Sequence, residues 1–263
     1  MKNNGIQFYP NMRYRDRLIS YSISDSCDNA QKSDAIRAFS LISERTIIRF
    51  YSVKENAEIN VLCSDIAPRP EEKGHFVAGE GGPSEIYNSS IYAVIFSGKV
   101  SLFRLGECNA PKVAIHEILH ALGFDHNDNQ KSIMFPLTKC DQEIDDYIIN
   151  EINRLYKIDS ASDLAIEKVE AVKAGIYLSF EIKIGNFGLH DSGESKLVIY
   201  AENEMVSEIS LDSIEIGTRK ILTVQNIKIP RDSKVISFEI KAFENDLDSD
   251  NNKVIVRLLK KEN

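Results

Sequence analysis

At 263 residues the chain is long for one core and comfortable for two. Its 43% hydrophobic and 27% charged residues match an average globular composition, and with a mean hydropathy of −0.25 it holds no apolar run near the roughly 18 residues that span a bilayer, so global disorder and a transmembrane helix are both excluded. The net charge of −8 is spread evenly, with 18 basic and 22 acidic residues up to residue 160 and 14 and 18 beyond it, which leaves no basic patch for nucleic acid.

The first residues, MKNNGIQFYPNMRYR, contain no apolar signal-peptide core, so the chain is either intracellular or a mature or truncated form. Arg17–Ser24 alternates apolar and polar residues as a half-buried strand does. Asp28 stands as an N-cap before a helix over Ala30–Ser43, with Ala35, Ala38, Phe39 and Ile42 at helical spacing. Thr46–Val53 and Glu58–Cys63 are strands by β-branched content. Pro68–Pro83 is rich in Gly, Pro and charge and reads as loop. Tyr92–Phe96 and Lys99–Arg104 flank Ser97-Gly98 as a hairpin. Pro111 opens and Gly123 closes a helix, and Asp141–Tyr156 forms another, with Ile144, Ile148, Ile152 and Leu155 on one face. After the polar stretch 157–163 every segment reads as strand, near 164–172, 176–185, 196–201, 205–211, 218–229, 234–243 and 253–259. Six or seven short strands in about 100 residues predict a β-sandwich. The expected division is therefore 1–160 and 161–263.

Cys27, Cys63, Cys108 and Cys140 form no CxxC pair, which argues against a zinc ribbon or a thioredoxin-type motif. Four such residues fit two disulfides in an oxidising compartment, with three pairings open, and also fit scattered thiols inside a cell.

The chemistry concentrates at residues 116–126, HEILHALGFDH. His116 and His120 are four apart on a helix and project from one face, so both rings reach one metal ion. Gly123 accepts a left-handed turn that returns His126 to the same ion. Three neutral imidazoles on Zn²⁺ leave a fourth position for water, the catalytic arrangement. Glu117, beside the first ligand, is placed to reach that water rather than the metal. Chance occurrence of this frame is on the order of one in 10⁵. The competing structural reading is an amphipathic core helix that happens to carry histidines.

Met134, eight residues beyond His126, stands in the segment SIMFP. A methionine turn after this zinc motif resembles the metzincin zinc endopeptidases, and within them the matrixin branch. The resemblance covers about residues 10–158, including the GEGGPSEI segment at 79–86. It implies an α+β catalytic domain, a twisted mixed sheet with two long helices, the zinc helix and a Met turn. His116, His120 and His126 would be the ligands of one catalytic zinc, Glu117 the general base and Met134 the floor of the site. Phe135, Pro136, Leu137 and Thr138 would wall the pocket beyond the scissile bond. An extended protein or peptide substrate would add to an edge strand, expected at Tyr92–Phe96 with Tyr92 and Val94 as contacts.

Residues 164–260 resemble the CARDB modules, immunoglobulin-like sandwiches, through KIGNFG at 183–188 and NDLDSDNNKV at 245–254. That resemblance implies a binding or adhesion role toward a surface or polymer. Asp246, Asp248 and Asp250 are candidate Ca²⁺ ligands, weighed against a solvated acidic turn. The function expected is a secreted or cell-surface zinc endopeptidase. The alternatives are a catalytically silent adhesion protein on a zinc fold and an intracellular processing protease.

Overall fold

A computed structural model describes residues 6–69, 77–104 and 108–258. The chain divides into two compact units. One comprises Met1–Tyr87 and Ala93–Asp159, the other Asn88–Tyr92 and Ser160–Asn263. Among the described residues no helix is long and apolar enough to cross a membrane.

The first unit is built on a six-stranded mixed sheet. Strands β1 (Met12–Tyr14), β2 (Leu18–Ile23), β3 (Arg49–Ser52), β4 (Ile59–Cys63), β5 (Gly79–Asn88) and β6 (Ala93–Leu102) are ordered β1-β6-β4-β2-β3, with β5 paired to β6. The pairs on this path are parallel. β5 returns antiparallel along β6 through a four-residue connection too short for a crossover, and Ser84 Oγ meets Ser97 Oγ at 2.9 Å. Helix α1 (Asn29–Arg45) starts at a complete capping box. Asp28 accepts from the Gln31 N–H at 2.8 Å, and the Gln31 side chain accepts from the Asp28 N–H at 2.9 Å. Its buried face, Ala35, Ala38, Phe39 and Ile42, lies on the sheet, where Phe39 stacks on Tyr21 at 4.1 Å. Helix α2 (Lys112–Ala121) is buried along nearly all its length, and α3 (Asp146–Lys157) closes the unit with Ile148, Ile152, Leu155 and Tyr156 inward.

Three local expectations are corrected. The hairpin at Ser97-Gly98 does not form, because β6 runs unbroken through both residues. Gly98 is small for a different reason: a Cβ there would collide with the Tyr14 hydroxyl and sit 3.3 Å from Ala121 Cβ. The loop expected at Pro68–Pro83 lies in part outside the described residues, as does His75, but from Gly79 onward it is strand. Its glycines answer to close approach rather than to turns. A Cβ on Gly79 would stand 2.6 Å from Glu117 Cγ, and one on Gly81 would overlap the Glu117 carbonyl. Finally, α3 starts at Asp146 rather than near Asp141. Residues 142–143 are held in extended pairing instead: Ile133 N–H donates to the Glu143 carbonyl at 2.7 Å and Glu143 N–H to the Lys131 carbonyl at 3.0 Å.

The N-terminal segment, which carries no periodic signal, is part of the core. Arg13 is fully buried, with its guanidinium 4.5 Å above the Tyr156 ring. It donates to the carbonyls of Tyr14 (3.0 Å), Arg15 (2.9 Å), Ile158 (3.2 Å) and Leu155. Tyr14 N–H donates to the Tyr156 hydroxyl at 2.9 Å, and the Tyr14 hydroxyl to the Ala121 carbonyl at 3.1 Å. Strand β1 thus joins the end of α3 to the end of α2.

Two disulfides are present, Cys27–Cys63 and Cys108–Cys140. The first ties the entry of α1 to the end of β4. The second ties the segment before α2 to the one after Met134.

The second unit is a sandwich of seven antiparallel strands in an immunoglobulin-like layout. β7 (Leu164–Ala174), β8 (Tyr177–Asn186) and β11 (Arg219–Lys228) form one sheet, ordered β11-β8-β7. β9 (Ser195–Ala201), β10 (Glu204–Leu211), β12 (Val235–Ala242) and β13 (Lys253–Arg257) form the other, ordered β10-β9-β12-β13. Alternate residues fill the interior: Leu178, Phe180, Ile182 and Ile184 from β8 face Leu197 and Ile199 from β9 and Ile236, Phe238 and Ile240 from β12. Phe180 and Phe238 meet edge to face at 4.8 Å. The turn Asn88–Tyr92 folds as part of this unit, with the buried Ser89 hydroxyl donating to the Phe187 carbonyl at 3.0 Å.

Two outcomes follow from the first unit. Arg13→Ala removes a buried cation and leaves its carbonyl partners unsatisfied, so urea unfolding should register a loss of about 3 kcal/mol. Native protein should show no titratable thiol, and Cys108→Ala with Cys140→Ala should cost about 2–4 kcal/mol through the loop of 32 residues it opens.

Candidate metal centre and active site

His116 and His120 stand one turn apart on α2 and are both buried. Each ring donates its Nδ1–H to a backbone carbonyl, His116 to Ile133 at 2.6 Å and His120 to Phe124 at 2.7 Å. A carbonyl only accepts, so the proton sits on Nδ1 and each Nε2 presents a bare lone pair. The helix ends at once: Gly123 takes φ +93, its N–H donates to the His120 carbonyl at 2.8 Å, and the chain reverses. A Cβ on Gly123 would also lie 2.6 Å from Met12 Sδ. The reversal brings in His126, whose Nε2 stands 3.2 Å from the Nε2 atoms of both His116 and His120; those two are 3.0 Å apart.

With the protons of His116 and His120 on Nδ1, their Nε2 lone pairs converge with His126 Nε2 on one point, where a cation is accommodated. Tetrahedral bonds of about 2.0–2.1 Å to zinc would set neighbouring nitrogens about 3.3 Å apart, so the set fits that ion. Burial lowers the imidazole pKa values, to about 3 for His116 and about 4 for His120, and lowers that of His126, so all three are neutral, the ligand form, at neutral pH. Among the described residues this is the one close group of three or more metal-ligating side chains. Asp246, Asp248 and Asp250 do not form a second. Asp246 accepts from the Leu164 and Asp248 N–H groups, and Asp248 from that of Asp250, which builds their own loop.

Glu117, next to His116 on α2, packs against β5 and is 6% exposed. Burial, with the charge of Glu80 adding to it, pushes its carboxyl up to about 8. Gly79 and Gly81 of β5 pass directly over it.

Met134 is fully buried. Its carbonyl accepts from the Asn127 N–H at 3.0 Å, which ties the Met turn to the residue after His126. Phe135 is half-buried, while Pro136 and Leu137 are exposed beside it. The hub of this turn is Ser132, fully buried, which sequence reasoning passed over. Its hydroxyl accepts from Asn127 Nδ2 (2.8 Å) and the Met134 N–H (3.0 Å) and donates to Asp145 at the head of α3. Also passed over was the segment before β1. Phe8 stacks on His120 at 5.8 Å, and its N–H donates to the Gly123 carbonyl, while the Asp125 N–H donates to the Ile6 carbonyl. A short buried serine and an irregular N-terminal strand carry no periodic signal.

The expectation that Tyr92–Phe96 offers an open edge is corrected. Val94 is fully buried and aligned with Arg13 of β1, and Tyr92 is buried in the turn of the second unit. The exposed strand on that side of the sheet is β5.

Among solved structures, the CARDB domain of a Pyrococcus furiosus protein, determined with di-metal ions, is similar at 16% identity. The match covers 38% of this chain and 90% of that one with a TM-score of 0.31. A domain of a Methanosarcina acetivorans protein is similar at 15% identity, covering 38% and 94% with a TM-score of 0.34. No curated protein matches the chain. The sequence profile of the matrixins, peptidase family M10, matches residues 13–157, more than half of the chain and most of the first unit. The chain belongs to the matrixin family of zinc metallopeptidases.

Proposed function

We propose that the chain is an active endopeptidase in which His116, His120 and His126 hold one catalytic zinc and Glu117 is the general base. The observation that carries this reading is the convergence of three Nε2 atoms within 3.2 Å, with a buried carboxyl group on the residue next to His116. Zinc bound there supplies a Lewis acid that polarises the scissile carbonyl and acidifies water. The protein supplies the proton path. Glu117, shielded from bulk water, takes a proton from the attacking water and returns it to the leaving nitrogen.

The substrate lies extended along β5, the exposed strand, so that its backbone continues the sheet past Glu117. Phe135, Pro136 and Leu137 flank the side chain that enters beneath. The two disulfides favour an oxidising compartment, and the protein is secreted or attached to a surface. The second unit binds a surface or polymer and takes no part in the chemistry, since every candidate ligand and base lies between His116 and His126.

Protein purified without chelator should contain one zinc per chain by elemental analysis, and His120→Ala should lose both the metal and the activity. Glu117→Ala separates binding from chemistry: it should retain the zinc while turnover on peptides falls roughly 10²–10⁴-fold. A Glu117→Ala protein cleaving at the parent rate would overturn the assigned mechanism.

A further inference from the structure

Glu80 stands on β5 between two glycines that the fold requires to be glycines. Gly79 and Gly81 turn toward Glu117, at separations that admit no Cβ. Side chains alternate along a strand, so Glu80 projects to the opposite face, and it is exposed. Among the described residues no cation pairs with its carboxylate. An unpaired carboxylate therefore sits on the exposed strand at the point where that strand crosses the general base.

Resting on the endopeptidase reading above, we propose that Glu80 is a specificity-determining residue that selects peptides with a Lys or Arg beside the scissile bond. A peptide added to β5 keeps the pleat in register. Where β5 turns Gly79 and Gly81 toward α2, the peptide turns side chains toward the site. Directly opposite Glu80 the peptide side chain falls on the same outward face as the carboxylate, about 5 Å away between Cβ atoms. A cation at that position meets an unpaired anion, and an acidic residue meets a like charge. The selected position lies within about two residues of the bond cut, next to the residue that enters the pocket. The flanking glycines add nothing of their own to this choice, so the preference is electrostatic and not one of shape. An exposed pair of this kind discriminates by about two- to fivefold, and salt weakens it.

The test is cleavage profiling of a random peptide library with the full chain, comparing the parent with Glu80→Gln and Glu80→Lys at low salt and at high salt. Zinc content and melting temperature are measured alongside each variant. The parent should enrich Lys and Arg about two- to fivefold at one position near the cut, and less at high salt. Glu80→Gln should abolish the enrichment, and Glu80→Lys should replace it with one for Asp and Glu, both with zinc content unchanged. A parent that cleaves without basic enrichment, or an enrichment that survives Glu80→Gln, overturns this assignment alone. A zinc-loaded parent that cuts no peptide overturns the endopeptidase reading and this assignment with it.

Discussion

Two hydrogen bonds, from the Nδ1 atoms of His116 and His120 to the carbonyls of Ile133 and Phe124, are the constraint on which the site is built. They choose the tautomer, fix both ring planes and aim both Nε2 atoms at one point. Each demands something of the chain elsewhere. The Phe124 carbonyl reaches back to His120 only because the helix stops at Gly123, in a conformation that a side chain resists. The Ile133 carbonyl reaches His116 only because Ser132 gathers Asn127, Met134 and Asp145 around one hydroxyl. The zinc helix, the loop to His126, the Met turn and the head of α3 are thereby one bonded structure. In a matrixin the methionine is conspicuous in sequence, but here the serine two residues before it carries the polar contacts.

The three-histidine cluster was legible because it is local. His116, Glu117, His120, Gly123 and His126 fall within eleven residues, and helix periodicity alone places two rings on one face. The second unit's strands were legible for the same reason: alternation from Leu178 to Ile184 is visible without knowing the partner sheet. Glycine was where local reading failed. Gly98, Gly79 and Gly81 read as turn residues because an isolated chain gives glycine no other use. In the fold each marks a place where another element comes too close for a Cβ, the Tyr14 hydroxyl in one case and Glu117 in the other two. Such proximity is a tertiary fact, absent from any window of the sequence. The same limit hid Ser132, whose value lies in partners up to thirteen residues away.

Arg13 shows how far that limit extends. One of three closely spaced arginines in a polar N-terminal stretch reads as solvent-exposed, since burying a guanidinium without partners costs several kcal/mol. Here the end of α3 turns its last carbonyls toward the cation, and Tyr156 offers it a ring face. Helix ends carry orphan carbonyls in any case, so one buried cation answers several acceptors together. The cation binds α3 to β1, and Tyr14, the next residue, binds β1 to the last residue of the zinc helix. The irregular N-terminus is thus a brace behind the site, even though nothing in it is ligand or base.

An exposed strand beside a hydrolytic site carries an internal conflict. It must stay open for a peptide backbone, and an open edge also invites indiscriminate pairing with other chains. β5 meets this with its composition. Pro83 supplies no N–H, the glycines offer no apolar side chain for a foreign strand to bury, and Glu80 and Glu85 charge the exposed surface. Hydrophobic contact is what makes illegitimate strand pairing persistent, and this strand withholds it near Glu117. What remains attractive there is backbone hydrogen bonding and negative charge, which on the proposed reading are weak enough singly for a cut peptide to leave. The features that keep the edge from aggregating are therefore also the ones that the proposed turnover of a peptide on this strand requires.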